Sequence, residues 1–276
     1  MEKVVFNIGI KPVFLLLLLF GLSHAKDDSN VMYEGVVIPS SDKDSFVKLD
    51  DSYAKDKNSV YYLENSLNGV FYYTKRTTTI RTLEKADPEN FTILKDGYTK
   101  SSVYAYHYGR TLKNSDGKSF EYLGHGYAHD VHNGYHNGRI IYDSDGLSFK
   151  YFKDGYSVDK NRVYFETINL YDANPKSFRL LSNGYVRDND NFYYEYRKIK
   201  DADSSFKVLQ TSRYAKDRSR IYFQGKEIVG VDYKTFKVYS RSYYARDKSW
   251  AYKNGRQISL SNETYQESVK YLRSQR

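Results

Sequence analysis

The chain has 276 residues and no cysteine, which excludes a disulfide framework, a thiolate metal site and a lipid-modified cysteine. Its formal net charge is +9, and it carries 31 tyrosines against one tryptophan and four prolines. A bias that strong asks first for internal repeats.

The first predicted element is an export signal over residues 1–25. Glu2, Lys3 and Lys11 form a short charged region, Val13 to Leu22 an apolar stretch, and Ser23-His24-Ala25 puts small residues where cleavage needs them, so cleavage is expected after Ala25. The apolar run is about half the ~20 residues that a spanning helix needs. Removing the signal takes away one net positive charge and leaves +8. An exported chain without disulfides fits the bacterial periplasm, the cell surface or secretion. Nucleic acid is not an expected partner there. The basic surplus suits an acidic partner protein, an anionic envelope polymer or a solvated surface.

After a lead-in over 26–41, a repeat occupies 42–258. Phe46, Phe91, Phe120, Phe149, Phe178, Phe206 and Phe236 are separated by 45, 29, 29, 29, 28 and 30 residues. Seven or eight residues after each comes a tyrosine: Tyr53, Tyr98, Tyr127, Tyr156, Tyr185, Tyr214 and Tyr244. Three residues later, in every copy but the second, stands an aspartate: Asp56, Asp130, Asp159, Asp188, Asp217 and Asp247. The second copy reads as two residues shorter here. The excess in the first interval predicts an insertion near 72–83.

Each copy opens with Asp or Asn four residues ahead of its phenylalanine, at Asp42, Asp87, Asp116, Asp145, Asn174 and Asp232, which predicts a capped single turn. The sixth copy has Ala202 in that slot and Asp203 beside it, predicting a frayed or shifted turn. A strand near Phe-x-x-Leu follows, then a hairpin. The repeated aspartate begins the hairpin turn, because its side chain can bond the backbone two residues on. The second arm carries an apolar-aromatic cluster, as in Val60-Tyr61-Tyr62, Val163-Tyr164-Phe165, Phe192-Tyr193-Tyr194 and Ile221-Tyr222-Phe223, with weaker versions at Val103-Tyr104 and Ala251-Tyr252. Glycine turns such as Asn137-Gly138-Arg139 and Asn254-Gly255-Arg256 close the unit. Over 259–276, Asn262 can cap a helix with Tyr265, Val269 and Leu272 on one face, covering the last unit's edge.

The expected fold is therefore all-β: tandem hairpin or meander repeats of about 29 residues in an open, twisted array or solenoid, with a short C-terminal helix. The alternative is a closed seven-bladed propeller, against which 29 residues is short for a four-stranded blade.

The runs Asp56-Lys57-Asn58-Ser59-Val60-Tyr61-Tyr62 and Asp159-Lys160-Asn161-Arg162-Val163-Tyr164-Phe165 resemble the signature of the bacterial DKNYY family. Copy two lacks the aspartate-lysine pair and copy three has Asp130-Val131-His132-Asn133 in its place. The resemblance covers most of the chain after the signal. It implies a bacterial exported repeat protein and carries no catalytic residues with it.

Candidate chemistry concentrates in the third copy, where His125, His129, Asp130, His132 and His136 stand close in sequence. A zinc site, and with it a metal-dependent enzyme, would need those groups to converge; polar turn decoration is the preferred reading. The alternating oxygens of Asp56-x-Asn58 and Asp188-x-Asp190 lack the further carboxylates and the glycine of a calcium loop. No Gly-x-Ser-x-Gly elbow or phosphate loop is present. The expectation is a protein without catalytic residues, metal or cofactor. It would bind through its repeat surface, either sequestering a partner protein as an immunity protein does a toxin, or holding envelope polysaccharide or peptidoglycan. The tyrosine ladder is either buried scaffold, the favoured reading, or an exposed gripping face.

Overall fold

The computed structural model describes residues 30–33, 35–70, 73–209, 212–239 and 243–274, with side chains described outside 67–76 and 272–274. The expected signal and its cleavage point after Ala25 lie outside the described residues, as do Tyr72 and the Leu272 side chain.

Among the described residues, seven four-stranded antiparallel sheets follow one another along the chain, each a meander whose strands are hydrogen-bonded in sequence order. The fourth is representative: Lys150–Lys153, Tyr156–Val158, Val163–Phe165 and Ile168–Asn169, with Ser157 opposite Tyr164 and Phe165 opposite Ile168. Every unit thus has four strands, one more than the sequence pattern marks out. The missing strand is the short one after the closing turn. Two to four residues per strand suffice, which is how a four-stranded sheet fits a 29-residue period.

The array is open. Among the described residues no sheet joins strands of two units, and the two ends are covered by different elements. Ahead of the first unit, the hairpin Val31–Tyr33/Val36–Ile38 places Ile38 with Ala54, Tyr61 and Leu63. Behind the last, the helix Glu263–Ser274 packs Tyr265 and Val269 on Tyr244 and Ala251. Asn262 caps that helix, its Oδ1 accepting from the Tyr265 amide at 3.1 Å. Covering both ends removes unpaired apolar faces that would otherwise recruit other chains.

The excess of the first unit is a long hairpin, Val60–Val70 paired with Tyr73–Thr82 from Tyr61↔Thr82 to Val70↔Tyr73. Its second strand lies in the 72–83 stretch where an insertion is expected and its first runs ahead of it, because a two-residue closing turn has been replaced by an extension that pairs with itself. One expectation needs correction. The second copy is not shortened: Ala105-Tyr106-His107 is its third strand and Tyr106 occupies the place given to Val103-Tyr104.

Burial sorts the tyrosines. Tyr61, Tyr106, Tyr135, Tyr164, Tyr193, Tyr222 and Tyr252, central in the third strands, are 1 % exposed or less. The second-strand residues Tyr53, Tyr98, Tyr127, Tyr156, Tyr185, Tyr214 and Tyr244 are buried too. Burying one such ring contributes about 2 kcal/mol before entropy. The ladder is the core of the stack, and its rings cannot also be the gripping surface.

Candidate binding surface

The repeated aspartate organises each unit. Asp159 Oδ1 accepts from the amides of Asn161 and Arg162, both at 2.7 Å, which closes the hairpin turn locally. Its Oδ2 accepts from the Tyr164 hydroxyl and the Asp145 amide, both at 2.8 Å, tying the turn to the ladder and to the capped turn that opens the unit. Asp56, Asp130 and Asp247 repeat all four bonds. Asp188 does so with a longer reach from Tyr193, 3.5 Å. Asp217 receives the Ser219, Arg220 and Tyr222 bonds. The opening turn of that sixth unit is capped one residue late, by Asp203 bonding the Ser205 amide. Burial by itself would raise the Asp56 carboxyl, but the Tyr61 hydroxyl and three backbone amides outweigh it and hold the group below its usual range.

The lysine beside the aspartate has an external role. Lys57, Lys160 and Lys248 meet the cap residues Asp42, Asp145 and Asp232 at 2.6, 2.7 and 2.7 Å. Lys57 and the neighbouring Ser45 draw the Asp42 carboxyl down to about 2. A serine or threonine just ahead of the phenylalanine was missed in the sequence pattern, although it recurs. Ser45, Ser119, Ser148, Ser177 and Thr235 each accept the amide of the residue after the aspartate. Its signal was Asp-x-x-Ser-Phe, legible in copies one, three and four. In the second unit Ser101 stands in the aspartate position. Its Oγ lies 3.5 Å from the Tyr106 hydroxyl, which donates instead to the Glu84 carbonyl at 2.8 Å.

The second-strand tyrosines join unit to unit. Tyr98 donates to the Gly126 carbonyl and accepts from the Gly138 amide, at 3.0 and 2.8 Å. Tyr185 and Tyr214 make the same two-sided link to Arg213 and Gly225, and to Tyr243 and Gly255. Tyr53 accepts from Gly109, Tyr127 donates to Gly155 and Tyr156 to Glu195. Burial drives the hydroxyl of Tyr98 well above the usual phenol range and that of Tyr214 up to about 12. The phenylalanines fill the space between successive sheets: Phe120 sits 5.6 Å from the Tyr98 ring and 5.4 Å from Tyr135, and Phe178 lies 5.3 Å from Tyr156. Phe149 and Phe206 are buried likewise, Phe46, Phe91 and Phe236 partly so.

The third-unit histidines do not converge. His129 Nδ1 lies 2.9 Å from the Gly146 carbonyl, His136 stacks on Tyr127 at 4.2 Å, and His125 and His132 are exposed. Asp130 is consumed by its four donors. Among the described residues no three His, Cys, Asp or Glu side chains are placed to hold a metal ion.

What remains for a ligand is the exposed ends of the sheets. In the closing turns one position recurs as Arg110, Arg139, Ile168, Arg197, Lys226 and Arg256, exposed in all six units. Five of the six are cationic, so the turns form a basic row along one edge of the stack. In the sequence these residues stand out only as members of glycine turns, such as Asn137-Gly138-Arg139 and Asn254-Gly255-Arg256. Exposed aromatic and aliphatic side chains also recur, at Tyr142 and Tyr171 in equivalent places and at Val229.

Comparison with known proteins gives one match: the DKNYY family model covers residues 127–256, from the second strand of the third unit into the last strand of the seventh. No curated protein and no solved structure matches the chain.

Proposed function

We propose, on the premise that this chain is a DKNYY family repeat protein, that it is an exported, non-catalytic binding protein which sequesters a partner protein through the variable ends of its sheets. One observation carries the reading. The recurring aromatic and aspartate side chains are engaged in holding the array, whereas the closing turns leave their side chains exposed, cationic in five of six units, on hairpins that the array holds in place. Rigid presentation lowers the entropy lost on binding. An immunity protein that neutralises a toxin is one concrete form of such a binder.

The test is affinity capture with the full chain from its native envelope, followed by titration of each purified candidate against the chain. A saturable complex of fixed stoichiometry is the expected result. Failure of every captured protein to rebind in pure form would overturn the reading. The basic row favours a second one, an anionic envelope polymer as ligand. Retention on purified cell-wall polymer that disappears with added salt would then be the whole of the activity.

A further inference from the structure

The closing turns of units five, six and seven do more than form a row. Arg197, Lys226 and Arg256 together line a cavity of about 370 Å³ with Phe223, Ile228 and Asn254. A second cavity of about 680 Å³ shares Phe223, Asn254 and Arg256 with the first and adds Arg213, Lys253 and Tyr243. Across the two, five cations face one carboxylate, Glu227, and the Arg220 Nε lies 3.5 Å from that carboxylate. The Arg213 guanidinium sits over the Tyr243 ring at 5.5 Å and Lys253 over Tyr244 at 5.4 Å, so both cations are held in place before a ligand arrives.

We propose that this paired groove docks an acidic peptide segment of the partner protein. The inference rests on the binding reading above and names where, and by what chemistry, the partner is held. One feature chooses a peptide. Arginines present planar forks that match carboxylates and phosphates alike. Between them, Phe223, Ile228 and Ile258 offer apolar walls that suit the side chains between glutamates and have nothing to contact on a polyphosphate. An extended segment advances ~3.3 Å per residue, so alternate side chains can meet cations and walls in turn.

The test uses the full chain and three labelled probes: a soluble peptide of interspersed Glu, Leu and Gly, its Gln counterpart, and inorganic polyphosphate. The chain is compared with the variant Arg197→Glu/Lys226→Glu/Arg256→Glu and with a control, Lys43→Glu/Lys113→Glu/Lys118→Glu, which reverses the same number of exposed cations elsewhere. Unchanged circular dichroism and melting show that each variant is folded. The Glu peptide should bind saturably, the Gln peptide should not, and the groove variant should lose roughly tenfold or more while the control keeps its affinity. No saturable Glu-peptide binding, equal loss in both variants, or tighter binding of polyphosphate than of peptide overturns the proposal. Failures separate cleanly. A captured partner that still binds the groove variant removes the groove and leaves the binder reading standing, whereas no partner at all removes the reading itself.

Discussion

Replacing Asp159 with alanine removes the acceptor of four donors at once: the Asn161, Arg162 and Asp145 amides and the Tyr164 hydroxyl. The first two face an exposed turn and can take water in exchange. Of the other two, the Tyr164 hydroxyl can fall back on the Asp143 carbonyl, 3.2 Å away, whereas the part-buried Asp145 amide loses the acceptor that Asp159 provides. A donor left without a partner costs about 1–3 kcal/mol, and relief from burying a carboxylate offsets part of this, so the expected loss is about 2 kcal/mol. Asp159→Asn keeps one oxygen for the turn amides and sets an NH2 group against the Asp145 amide, so a loss of about 1–2 kcal/mol is expected. Urea unfolding followed by far-ultraviolet circular dichroism measures both. Hydrogen exchange then locates the loss, since an array need not unfold in one step. Lys160→Ala is the control: its ammonium is exposed where it meets Asp145, and the unfolding midpoint should hardly move. If Asp159→Ala is no worse than that control, or if protection falls equally in all units, the aspartate is not the organiser described.

Three further outcomes follow from the same geometry. In Gly146→Ala the new carbon would sit 2.2 Å from the Asp130 carbonyl oxygen and 2.5 Å from the Asn133 amide nitrogen, both backbone, so a melting decrease equivalent to about 1–3 kcal/mol is expected and an unchanged melt would refute the close approach. Ser101→Asp supplies the second unit with the acceptor it lacks and should stabilise by about 1 kcal/mol in urea unfolding; a net loss would show that this unit has settled on its own Tyr106–Glu84 bond. His107 and His136 pack against Tyr98 and Tyr127, and burial lowers both imidazoles below their ordinary value. A folded-state value below the unfolded one, ~6.5, means that their contribution is complete above that pH and is lost as pH falls toward the folded value. Melting temperature should therefore drop between pH ~7.5 and ~5.5, a window set by about one unit on either side of the unfolded value, and His107→Gln/His136→Gln should flatten the drop. An identical slope in the variant would refute the assignment.

The sequence by itself determined the strongest local signals of a unit, though not its fourth strand or the register of the second copy. The period, the phenylalanine, the tyrosines and the aspartate turn were all legible, because an aspartate bonding amides two and three residues on is a local event with a local signature. The C-terminal helix was readable for the same reason, from Asn262 and the spacing of Tyr265 and Val269. Tertiary structure alone decided what lies across the stack. That Tyr98 meets Gly138 forty residues ahead, in the next unit, depends on how one sheet is set against the next. So does the burial of both tyrosine rows, which makes the ladder scaffold and leaves the closing turns exposed. The gathering of Arg197, Lys226 and Arg256 into one groove has no signal in any single copy, since each unit supplies only one of the three cations.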